Sequence, residues 1–151
     1  MIQRIQTLYL VVASVLLACM LILPLSSLVE GTSVWNVFLI SGQIPPAAPR
    51  GLMIALAAVY VLLAFADVLV IFMYKNRERQ ASWITGILLI LVLSVILLLI
   101  FLYRLNSILP AALISYHAGL VFPLVSLVLL IMARKAIRKD QDIIDSLNRI
   151  R

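Results

Sequence analysis

QASWITGILLILVLSVILLLIFLY, residues 80–103, decides the fold of this chain. The run contains no charged residue, and its apolar side chains do not alternate with polar ones. About 20 mostly apolar residues suffice for a helix to cross the hydrocarbon core of a bilayer. A barrel strand would instead change sides every second residue. The run therefore predicts a transmembrane helix. Three more charge-free runs lie at 5–29, 51–66 and 105–133, and the second continues past Asp67 to Tyr74 with the same apolar character. Four spans fit at about 7–28, 52–74, 81–103 and 111–133.

The composition agrees. Of 151 residues, 65% are hydrophobic and 12% are charged, too little polar surface for a soluble domain of this size. A net charge of +6 and a pI near 10 would suggest nucleic acid in a soluble protein. Here the charges follow the spans instead. Arg4, Lys75, Arg77, Arg79, Arg134, Lys135, Arg138, Lys139, Arg149 and Arg151 fall on one side, and Arg50 and Arg104 on the other. Ten against two places both termini in the cytoplasm by the positive-inside rule. The expected fold is an all-α membrane protein. It is an antiparallel bundle of four transmembrane helices (1–133), with an extended outer loop over 29–51 and a helical cytoplasmic tail over 134–151.

The first span has Arg4 before an apolar core, as a signal peptide does, but the core runs from Leu8 to Leu23 and no Ala-x-Ala site follows. An uncleaved anchor is expected. Cys19, the single cysteine, excludes thiol–disulfide chemistry on a pair and reads as a buried, inert thiol. In the outer loop, residues 32–41 are rich in β-branched and aromatic side chains and are bounded by Gly31 and Gly42, which predicts an extended segment or hairpin over the helix ends. Trp35 and Phe38 would sit at headgroup level. Residues 44–49 read as polyproline-like. Such a loop serves as a lid, a docking surface or a plain cap. Residues 75–80 form a tight inner turn, Trp83 anchors the inner end of span three, residues 104–110 form a short outer turn, and Pro110 opens span four. Arg4-Ile-Gln6 and Arg79-Gln80 stand in similar places before spans one and three, which is too little to claim a repeat.

The tail carries Ile137, Ile144, Leu147 and Ile150 at near-helical spacing, and Asp145 and Arg149 form an i,i+4 pair. Arg134, Lys135, Arg138 and Lys139 cluster where the chain leaves the membrane, and each contributes about 1 kcal/mol of attraction to anionic headgroups. An amphipathic surface helix is the favoured role, and a protein-docking tail the sharper alternative.

Asp67 is the most suggestive single residue. It lies about 10 Å from the inner end of span two, where a carboxylate costs about 2.5–3.5 kcal/mol unless it faces protein or water. Tyr60, Asp67 and Tyr74 share a stripe, with Ala64 between, and by depth Ser14 and Ser126 are candidate hydrogen-bond partners. Two readings follow: an ion- or proton-coupling carboxylate, or a buried, neutral acid tying helices together, which is favoured. His117, in the outer half of span four, has no second histidine for haem or zinc and reads as a helix-packing or interfacial side chain. Pro123 should kink that span, and Gly51, Ala55 and Ala58 offer a small-residue packing face.

The opening MIQRIQTLYL (1–10), with Ala136-Ile-Arg-Lys-Asp140 and the closing Asn148-Arg-Ile-Arg151, resembles an uncharacterised family of small four-span bacterial inner-membrane proteins, a domain of unknown function. The resemblance covers the whole chain in length and span number. Members often carry an acidic residue before the final Arg-x-Arg, where this chain has Asn148, so no role for a tail acid carries over. The resemblance implies the fold and location but brings no substrate, activity or cofactor. No enzyme is expected, since no paired-aspartate site, Gly-x-Ser-x-Gly elbow, Cys-x-x-Cys or metal cluster occurs in the sequence. The expected partners are the bilayer, anionic headgroups at the inner face, and a membrane-protein partner or second copy, with no nucleic acid. A scaffold or accessory subunit is favoured over a small oligomeric transporter or channel using Asp67. Four-span multidrug carriers place their carboxylate in the first span, which has none here.

Overall fold

The fold is that of a computed structural model, and it describes residues 2–40, 48–74, 76–108 and 113–149. Lys75, Pro110, most of the polyproline-like stretch, and the side chains of Ile144, Asp145, Leu147 and Arg149 lie outside the described residues.

Helix α1 (Ile2–Ile22) ends where Pro24 removes a backbone donor and forces Leu23 out of the helical region. Span one therefore stops short of the expected residue 28. The chain turns at once into β1 (Ser26–Glu30), and β2 (Ser33–Val37) returns antiparallel to it, with Glu30 opposite Ser33. Gly31, with φ of 58°, is the first residue of this two-residue turn, the position where a type II′ hairpin requires glycine. The hairpin expected at 32–41 thus exists but begins earlier.

Helices α2 (Arg50–Phe72) and α3 (Arg77–Ile108) follow. Residues 104–108 are the last turn of α3, not the expected outer turn. The largest correction comes next. Residues expected to open span four form β3 (Leu113–Tyr116) and a 3-10 turn (Ala118–Leu120), and α4 spans Val121–Arg149. Strand β3 pairs with β1, giving an antiparallel sheet of order β2-β1-β3. The chain is mainly helical but not all-α.

Alternation sets the faces of the sheet. Ser26 and Leu28 of β1 and Val37 of β2 are buried, with Trp35 and Ile114 half-buried beside them, while Val34 and Leu113 on the opposite face are exposed. Trp35 therefore lies on the buried face of the sheet, packed against the core. Gly119, in the 3-10 turn, is buried against the α1–β1 junction, and a Cβ there would lie 2.7 Å from the Pro24 carbonyl oxygen. Pro123 sits in the first turn of α4, where proline is tolerated, so the expected kink has no cause.

Helix α1 packs against α2 and α4, and α3 packs against the same two. Each helix turns one stripe inward at spacings of three and four, as in Met53, Leu56, Tyr60, Leu63, Asp67 and Val70 of α2 and Ser126, Leu130, Ala133 and Ile137 of α4. The outward faces are apolar too: Leu62, Phe65, Leu93 and Leu99 are each 60% or more exposed. All four helices are long and apolar enough to cross a membrane. Gly51, Ala55 and Ala58 are exposed, so the small-residue face does not serve packing within this chain. Cys19 is half-buried, not fully enclosed as expected, and is a free thiol.

Candidate functional site

Asp67 occupies the penultimate position of the inward stripe of α2 and is 0% exposed. Tyr60 lies two turns away on the same stripe, with Leu63 buried and the expected Ala64 half-buried between them. Tyr74 falls beyond the end of α2 and is exposed, so it leaves the stripe. Neither expected serine reaches the acid. Ser14 Oγ donates to Val11 O at 2.9 Å, and Ser126 Oγ donates across the interface to Ala13 O at 3.3 Å, tying α4 to α1. Both Asp67 carboxyl oxygens have no hydrogen-bond partner among the described residues. The Tyr60 hydroxyl is turned toward Ser94 but has no hydrogen-bond partner among the described residues, and Ser94 Oγ donates to Leu91 O at 2.8 Å.

A helix-tying acid should have its oxygens satisfied. Asp67 is enclosed, and among the described residues no hydrogen bond joins its carboxylate to another helix. One turn further along α2, Ile71 lines a cavity of about 270 Å³ at the inner end, shared with Gln6, Arg77 and Gln80. The two glutamines that precede spans one and three in similar sequence positions thus meet at one cavity. Gln80 Nε2 donates to Val70 O at 3.1 Å and links the start of α3 to the last turn of α2. Gln6 is buried, and its Nε2 lacks a hydrogen-bond partner among the described residues.

Arg77 also forms an ion pair with Asp140 of α4. The turn between α2 and α3 is thereby clamped to the last third of the chain, a contact between residues 63 apart that local sequence signals do not reveal.

A family model described as a domain of unknown function, DUF4293, matches residues 2–150. The chain belongs to that family. Comparison with curated proteins and with solved structures finds no match.

In this DUF4293 chain the four expected headgroup cations divide between two flanks of α4. Lys135 and Lys139 line a groove of about 350 Å³ against Ile5 and Tyr9 of α1. At 100° per residue Arg134 and Arg138 lie on the other flank, and the Arg134 Nε is buried without a hydrogen-bond partner among the described residues. His117 is not in a helix. It is extended, its N–H donates to Leu25 O at 3.0 Å, and its Nε2 lies 3.1 Å from Ser27 Oγ, so it fastens β3 to β1. Among the described residues no three His, Cys, Asp or Glu side chains converge on a metal-sized site.

Proposed function

We propose that this chain is a multi-pass protein of a bacterial inner membrane, with both termini cytoplasmic, that acts as a non-enzymatic scaffold or accessory subunit. The membrane placement rests on the apolar outward faces of four span-capable helices and on the ten-to-two charge split. The scaffold role is carried by α4, an unbroken helix from Val121 to Arg149. The Ser126–Ala13 contact sets the levels of α4 and α1. From it, α4 runs about 18 Å past the level of Ile2 at helical rise. A helical arm fastened at its root by the Arg77–Asp140 ion pair suits docking of another protein at the cytoplasmic face. Purification of the full chain in mild detergent should bring down a stoichiometric partner, and deletion of residues 134–151 should lose it. An unchanged yield of partner after deletion defeats the arm as the docking element.

A second reading has one observation in its favour, the two orphaned oxygens of Asp67. A buried acid without a protein partner fits a proton or cation site entered from the Gln6–Gln80 cavity. In liposomes, proton or cation flux that Asp67→Asn abolishes would establish it. Flux that survives the substitution, or no flux in the unmodified protein, removes it.

A further inference from the structure

We propose that the groove between α1 and α4 binds one anionic phospholipid, with its phosphodiester between Lys135 and Lys139 and an acyl chain along Tyr9 and Met132. The inference rests on the membrane-embedded reading and concerns a surface distinct from Asp67.

Lys135 and Lys139 are one helical turn apart, a spacing that sets their Cβ atoms about 5–6 Å apart, and both are exposed on the groove wall. Two ammonium groups at that spacing can grip a single phosphate. Asp140 lies on the same wall and would repel an anion, but its carboxylate is ion-paired with Arg77 of α3. The groove therefore presents a net positive rim. From Lys135 back to Met132, toward the middle of the apolar belt, the trough continues for about 5 Å at helical rise, walled by Met132, Ile5 and Tyr9. A groove of about 350 Å³ has room for a single hydrocarbon chain. Two cations beside an apolar trough match a phospholipid, with Ile143 lining the groove past Lys139. The arrangement also separates the lysines from Arg134 and Arg138, so it predicts which cations matter.

The test uses the full chain in mild detergent, titrated with phosphatidylglycerol or with phosphatidylcholine of the same chains, and counts retained lipids by native mass spectrometry. The unmodified protein should retain one phosphatidylglycerol in preference to phosphatidylcholine. Lys135→Gln with Lys139→Gln should weaken that binding about 30-fold, from the loss of two cations at the headgroup level. Arg79→Gln with Arg104→Gln removes as much charge from exposed positions outside the groove and should leave it intact. Met132→Trp, which fills the trough and keeps both lysines, should also expel the lipid.

Equal loss in the two double variants, equal retention of the two lipids, or retention in Met132→Trp overturns the proposal. So does displacement by soluble glycerol phosphate at the concentration of lipid, which would mean a phosphate site without a chain. A protein that stays monodisperse without detergent would instead defeat the membrane reading itself.

Discussion

Gly119→Ala should destabilise the outer cap by about 2 kcal/mol, within the range of about 1–3 kcal/mol for overpacking a filled site. The added Cβ would lie 2.7 Å from the Pro24 carbonyl oxygen and 3.3 Å from both the Pro24 carbonyl carbon and Leu25 Cδ2. Comfortable separation is about 3.5 Å, so the α1–β1 junction must retreat by several tenths of an ångström. Two backbone hydrogen bonds hang on that junction: His117 N–H to Leu25 O at 3.0 Å and Leu25 N–H to Val37 O at 2.8 Å. Displacing Leu25 stretches the first toward the limit of about 3.2 Å, and the loss falls on the sheet and not on the helices. At about 2–4 °C per kcal/mol for a chain of this size, the melting midpoint should drop by about 4–8 °C. In a Trp83→Phe background, fluorescence of Trp35 reports the cap during thermal unfolding in detergent. Gly86→Ala is the control, because a Cβ there meets nothing within 4 Å and helix propensity gains up to about 1 kcal/mol. A Gly119→Ala protein that melts with the parent, or a Gly86→Ala protein that falls as far, would refute the close approach.

Asp67→Leu should leave stability unchanged or raise it by about 1–3 kcal/mol, since it removes a desolvated acid that has no hydrogen-bond partner among the described residues. A clear loss in thermal unfolding would mean that Asp67 holds the helices together. Arg77→Ala and Asp140→Ala should show a coupling of about 1 kcal/mol in a double-mutant cycle, larger than a fully solvated pair because both side chains are mostly covered; zero coupling would place the pair in solvent. Gln80→Leu should cost about 0.5–1.5 kcal/mol through the lost bond to Val70 O, a carbonyl that also accepts the Met73 N–H. A cost well above that range, read by the same unfolding, would assign Gln80 a further role.

The helices were legible because a bilayer-length apolar run has few alternative uses, and the bounds expected for spans two and three fall on or inside α2 and α3 apart from the two residues past Phe72. The start of α4 was not legible. Leu113–Tyr116 are as apolar and uninterrupted as the helix that follows, and what makes them a strand is pairing with Val29–Ser26, far away in sequence. Hydropathy carries no trace of that pairing. Pro24 marked the end of α1 and was a usable signal. For the candidate site, the stripe spacing placed Tyr60 and Asp67 inward, because helical periodicity fixes a face. Depth alone could not say where the serine hydroxyls point. Ser14 and Ser94 turn back on their own helices, and Ser126 crosses to α1, which leaves the acid alone. The Arg77–Asp140 clamp was equally hidden, since it depends on how far α4 continues as a helix.

The central position of β1 in the sheet imposes an order on biogenesis. Strands β1 and β2 are made directly after the first helix, but the other edge of β1 is covered only when residues 113–116 have been synthesised, after the third helix. Until then the nascent chain carries an open strand edge, the kind of surface that recruits unwanted pairing. Closure of the sheet thus reports that the chain has passed its third helix, and a product truncated before Leu113 would keep that edge bare for quality control to find.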